Sequence, residues 1–132
     1  MKQAIRWGAC AVVLTLALPT FAGDTTPAAQ LAFWEKAAGQ SGSASSGQAF
    51  FTQKHGTQWT CASCHGAPPV KDGEHADTGK RIKPLAPAYN PVGFTKQAKV
   101  DKWFRRNCND VVGRECTPTE KADVLSYLIN IK

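Results

Sequence analysis

Between residues 95 and 109 the apolar positions Val100, Trp103 and Phe104 recur at i, i+3 and i+4, the spacing of one helical face. The pattern predicts a helix from Thr95, as its cap, to about Asn109. One turn further, the same face reaches i+7, which is Asn107. An amide on a buried stripe must find a partner or cost roughly 1–3 kcal/mol. Asn107 therefore either caps the helix end or bonds a backbone group, or it serves a function. Val124, Leu125, Leu128 and Ile129, with Tyr127 beside them, form a second apolar face. Its helix opens on Thr117, with Pro118 in the first turn and Glu120 completing a capping box.

Two shorter helices are expected upstream. Thr25-Thr26-Pro27 starts the first, which runs from Ala28 to Ala38 with Leu31 and Trp34 on one face and ends at Gly39. Gln40 to Ser46 is a Ser/Gly-rich linker. The second helix is expected from about Ser46 to Lys54 and carries Gly47, Phe50 and Phe51. After residue 65 the chain reads as loop to about Pro91, because Pro68, Pro69, Pro84, Pro87 and Pro91 leave little room for long helices. The expected fold is mostly α, with about four helices.

The first 22 residues read as an address. Lys2 and Arg6 precede an apolar run, Ala9 to Leu18, and Pro19 and Thr20-Phe21-Ala22 offer a cleavage site after Ala22. The run falls short of the ~20 residues of a membrane span. Cys10 precedes the run, so it is not a lipoprotein cysteine. The expected product is residues 23–132, one exported domain, soluble in a bacterial periplasm. Sixteen Lys/Arg against ten Asp/Glu give +6 for the chain. Losing Lys2 and Arg6 leaves fourteen against ten, or +4. That excess suits an acidic redox partner and is too diffuse to argue for nucleic acid.

Cys61-Ala62-Ser63-Cys64-His65 changes the picture most. C-x-x-C-H is the attachment sequence of c-type haem. Two thiols one helical turn apart suit the two vinyl groups, and the adjacent imidazole suits the proximal iron position. A redox dithiol would want a thioredoxin-like βαβ context, and zinc would want a second ligand pair. Cys108 and Cys116 are spaced too widely to form one. A covalent haem also supplies core to a domain too small to bury much area of its own.

The second axial ligand needs a separate argument. The single methionine is Met1, which leaves with the leader, so a His/Met pair is excluded. His55, His75, a lysine, a weaker ligand or an open position remain. Lys80, Arg81 and Lys83 form a basic cluster that either neutralises a haem propionate or is simply solvated.

The run Arg106-Asn107-Cys108-Asn109-Asp110-Val111-Val112-Gly113-Arg114-Glu115-Cys116-Thr117-Pro118 resembles the sphaeroides haem protein family. So do Thr78-Gly79-Lys80 and Ile82-Lys83-Pro84-Leu85-Ala86-Pro87. The similarity spans most of residues 24–132. It implies a small cytochrome c fold of class I type around one covalent haem, with His65 proximal and Asn107 as distal iron ligand. In the related cytochrome c″ a histidine occupies that place. The resemblance also implies a disulfide between Cys108 and Cys116, and as partners a dihaem cytochrome c and a membrane b-type cytochrome. Cytochromes of this type place a glycine such as Gly47 where the first core helix crosses the last. Many also hydrogen-bond the proximal histidine to a proline carbonyl, here that of Pro84. Trp103 and Phe104 are expected to wall the haem pocket, with core packing as the alternative.

The expected function is single-electron transfer, with a weak Asn107 ligand that frees ferrous iron for O2, NO or CO. A peroxidase or reductase using His55 or His75, and a diatomic-gas sensor, are the alternatives.

Overall fold

The computed structural model describes residues 23–132; the expected leader, with Cys10, lies outside them. Among the described residues five α-helices carry the fold: α1 (Pro27–Ala38), α2 (Ala44–Thr52), α3 (Cys61–His65), α4 (Gln97–Val112) and α5 (Pro118–Asn130). The mostly α expectation holds, with one helix more than the four expected. The long segment after α3 is not wholly loop. Gly73–Glu74 (β1) and Arg81–Ile82 (β2) pair antiparallel, and Pro87–Tyr89 makes one 3-10 turn. Strands of two residues are too short to show alternation in a sequence.

Local chemistry sets most of the helix ends. Thr26 caps α1 through the Ala29 N–H, and Gly39 closes it at φ 70°. That is the left-handed region, where glycine is at ease. Thr117 and Glu120 form the expected capping box of α5. Two starts differ from expectation. α2 begins at Ala44, capped by Ser43, whose own N–H donates to Asp123 Oδ1 at 2.7 Å. α4 begins at Gln97, because the Thr95 hydroxyl donates to the Val92 carbonyl instead. Asp24 caps this helix from outside, accepting the Gln97 N–H at 2.7 Å.

α5 is the central element. Seven of its residues are buried, from Lys121 to Leu128 with only Asp123 less so. α1 and α2 both pack along it. Phe51, Val124, Tyr127 and Leu128 form the core cluster. Buried Lys121 is reconciled by partners: its Nζ meets Glu115 at 3.0 Å and lies 4.1 Å from the Trp34 ring centre, a cation–π contact.

α4 is held differently. It makes no extensive backbone contact with another element. Gln97 anchors its start to buried Gln30. At its far end Thr57 donates to the Val111 carbonyl at 2.6 Å, and Cys108 and Cys116 bring their sulfurs to bonding distance, Cα atoms 5.6 Å apart.

Candidate haem site

A five-residue helix cannot stand alone, since nucleation alone outweighs its few bonds. α3 is stabilised from both ends. Thr60 Oγ1 accepts the Ser63 N–H at 3.0 Å, and Ser63 Oγ accepts the Thr60 N–H at 2.9 Å. Gly66, at φ 75°, turns the chain away. The hairpin then folds back so tightly that a Cβ on Gly73 would collide with the Cys64 carbonyl.

Cys61 and Cys64 stand one turn apart on this helix as free, half-buried thiols. Burial pushes the Cys61 thiol up to about 11, so it is protonated at neutral pH. Cys64 Sγ accepts the Ala76 N–H at 3.3 Å. Burial also lowers His65, to about 4. Its imidazole is therefore neutral at pH 7, the form that binds iron. Phe51 lies beside it, ring centres 6.2 Å apart. Phe51 was not singled out from the sequence as a neighbour of the motif; its place on the face of α2 opposite the exposed residues was the available signal.

His65 Nδ1 is buried and has no hydrogen-bond partner. The expected acceptor, the Pro84 carbonyl, takes the Asn90 side-chain amide at 2.9 Å. The expected His65–Pro84 bond is therefore not made. A buried imidazole nitrogen without a partner costs roughly 1–3 kcal/mol.

α4 presents the other expected residues. Phe104 packs against the core cluster, as does Cys61, and its ring meets Trp34 edge-on at 6.4 Å. Trp103 is instead 41% exposed. Asn107 is half-buried. Of the four asparagines, Asn90, Asn109 and Asn130 each donate to a backbone carbonyl. Asn107 alone has no side-chain hydrogen bond to another described residue, so neither the capping nor the backbone-bonding alternative accounts for it.

The two competing histidines have local partners. His55 Nε2 bonds the Phe50 carbonyl at 2.7 Å, and its ring lies tilted against that of Phe50. His75 Nδ1 accepts the Asp77 and Thr78 N–H groups, both at 3.3 Å, inside the hairpin turn. Arg81 of the basic cluster is ion-paired with Asp72. Cys108 and Cys116 engage each other, so they supply no second zinc pair.

Two cysteine sulfurs one turn apart and the buried imidazole next to the second are the donor set of a covalent haem. Comparison with known proteins agrees. The chain is 50% identical over 117 residues to the cytochrome c-type protein SHP of Cereibacter sphaeroides, covering 86% of this chain and 90% of that one. The chain belongs to the SHP family of c-type cytochromes. The family model described as a domain of unknown function, DUF1924, matches residues 37–128. The structure of oxidized SHP, an oxygen-binding cytochrome c, superposes with a TM-score of 0.74 at 46% identity, covering 80% of this chain and 97% of that one. Oxidized cytochrome c″ from Methylophilus methylotrophus follows at 0.73 and 34%, covering 79% and 93%. This cytochrome thus carries one covalently bound haem c, and among its described residues no helix is long and apolar enough to cross a membrane.

Proposed function

We propose that this cytochrome is a periplasmic carrier of single electrons whose ferrous iron also takes a diatomic ligand. Cys61 and Cys64 would form the thioethers, and His65 would be the proximal ligand. Asn107 would be the weak distal one, with Cys108 and Cys116 as a disulfide beside it. The haem supplies one-electron chemistry and, when ferrous with its sixth position free, affinity for O2, NO or CO.

The chain's own residues do the rest. Burial keeps His65 neutral and available, and Phe51 packs at its side. Phe104 and Cys61 each pack against the same apolar core cluster. The observation that carries the reading is Asn107: a half-buried amide on an apolar stripe whose side chain bonds no other described residue. Asparagine oxygen or nitrogen is a poorer iron ligand than imidazole or thioether, so it yields readily. SHP of known structure is an oxygen-binding cytochrome c; we extend that property to this chain on the shared motif and fold. The peroxidase alternative is disfavoured because His55 and His75, the residues it would use as distal acid–base groups, are engaged by local partners.

The test is the optical spectrum, ferric and dithionite-reduced, with and without CO, of wild type and Asn107→Ala. We expect a high-spin reduced form that shifts with CO, and faster ligand binding to ferric Asn107→Ala with the haem still attached. A low-spin reduced form indifferent to CO, or ligand kinetics unchanged by Asn107→Ala, overturns the assignment.

A further inference from the structure

The outer face of α4 is basic and has an aromatic at its centre. Lys99, Lys102 and Arg106 are exposed, away from the buried Val100, Cys108 and Val111. Trp103 lies among them, with Lys102 Nζ 5.6 Å and Arg106 Cζ 5.7 Å from its ring centre. The charge is concentrated here. From Lys96 to Val112 there are five cations and two carboxylates, so this segment holds three of the four net positive charges of residues 23–132. Of the five, only Arg106 has a carboxylate within 4 Å among the described residues, Asp110 at 3.8 Å.

Such a cluster repels itself, and it leaves a large apolar ring in water at ~25 cal/mol for each Å² uncovered. An incoming acidic surface relieves both costs. Charges set the approach and orientation, and a central aromatic anchors the contact. Trp103 is also positioned to conduct. At 100° per residue it lies only about 40° from Asn107, one turn along the helix, while its flanking cations lie on its outward side.

We propose that this face receives an acidic electron-transfer protein and that the electron passes by way of Trp103. The inference rests on the electron-carrier reading above and names the kind of partner. The donor's redox centre loses one electron and the ferric iron gains it; no bond forms or breaks and no proton moves. An anionic membrane is a poorer match, because a helix lying on lipid needs a broad apolar face and this one offers Trp103 alone.

The experiment uses haem-loaded protein with flavodoxin hydroquinone, an acidic one-electron donor, in stopped flow at about 20 to 300 mM salt. The triple variant Lys99→Glu/Lys102→Glu/Arg106→Glu is compared with Lys36→Glu/Lys54→Glu/Lys132→Glu, which makes the same change of net charge elsewhere. Wild type should slow about tenfold across the salt range. The α4 variant should be about tenfold slower at low salt and insensitive to it, while the other stays within about threefold of wild type. Equal slowing of both variants, or of neither, overturns the docking face.

Trp103→Phe should lower the rate at saturating donor without weakening the complex; an unchanged rate removes Trp103 as the route. Oxidised flavodoxin should broaden the Trp103 indole N–H resonance, a readout independent of turnover, and an unmoved resonance counts against the site. Sedimentation with vesicles of phosphatidylcholine and phosphatidylglycerol that depends on the same three cations, with no flavodoxin effect, would replace the protein partner by a lipid one. The CO spectrum of wild type is read separately, so failure of the Asn107 ligand and failure of the docking face are distinguishable.

Discussion

Gly47 of α2 lies directly against the backbone carbonyl of Asp123 on α5, with no room between them for a Cβ. The contact is reinforced one turn earlier, where the Asp123 carboxylate accepts the Ser43 N–H. Phe51, one turn later, packs its ring 5.6 Å from that of Tyr127. The helix that packs beside His65 is thus seated on the last helix of the chain.

Two effects compete when Gly47 becomes alanine. Helix propensity favours the variant by up to about 1 kcal/mol. The clash is with backbone, which cannot rotate aside, and overpacking of this kind costs about 1–3 kcal/mol. We expect the clash to win. Gly47→Ala should lower the denaturant midpoint of the holoprotein, and an exposed control, Ser45→Ala, should not. An unchanged midpoint in Gly47→Ala would show that α2 and α5 can separate at little cost.

His55 and His75 are each committed to local hydrogen bonds. His55→Gln and His75→Gln should therefore leave the ferric, reduced and CO-bound spectra as in wild type. A reduced spectrum altered by either change would identify that histidine as the second ligand and displace Asn107.

Bridging Cys108 to Cys116 closes a loop with a sequence separation of 8, for which chain entropy gives about 2.5 kcal/mol. Cys108→Ser/Cys116→Ser should lose about that much by urea denaturation. Its haem should stay attached, because the attachment thiols are Cys61 and Cys64. Haem-free protein from the double variant would mean that the bridge is needed for assembly as well as stability.

Glu120 holds both the capping box of α5 and the guanidinium of Arg114, at 2.7 and 2.8 Å. The Arg114 hydrogen bond, against some desolvation, holds its carboxyl below the ordinary value of 4.5. A depressed carboxylate favours the folded state when ionised, so its contribution is full above the unfolded value. It is lost as pH falls through the lower folded value. Glu120→Gln should cost under about 1 kcal/mol at pH 7, given the partial exposure of the pair. The gap between variant and wild type should close in acid, followed by thermal unfolding from pH 7 to pH 2. A gap that stays constant across this range would assign the effect to shape and not to charge.

Legibility from the sequence followed the range of the interactions. Thr117, Pro118 and Glu120 set the start of α5 through bonds within three residues, and that start was readable. The attachment motif and the odd position of Asn107 were readable for the same reason, one from spacing and one from periodicity. The start of α2 was not, because Ser43 and Ser46 are both capable caps and the choice is tied to Asp123, eighty residues away. The start of α4 was misplaced because Asp24 supplies the cap. Lys121 is buried for partners, Trp34 and Glu115, that no local pattern announces. The hairpin escaped because two-residue strands carry no period.

The attachment of α4 has a mechanical meaning. A 16-residue helix is about 24 Å long at 1.5 Å per residue, and this one is anchored at both ends, with Val100 buried and Phe104 packed on the core between them. Asn107 is adjacent to one clamp, Cys108, and ten residues from the other, Gln97. A beam fixed in this way moves least beside its supports. With Asn107 as the proposed ligand, its release would need only the rotation of one amide side chain about its own bonds, a gate two torsion angles wide.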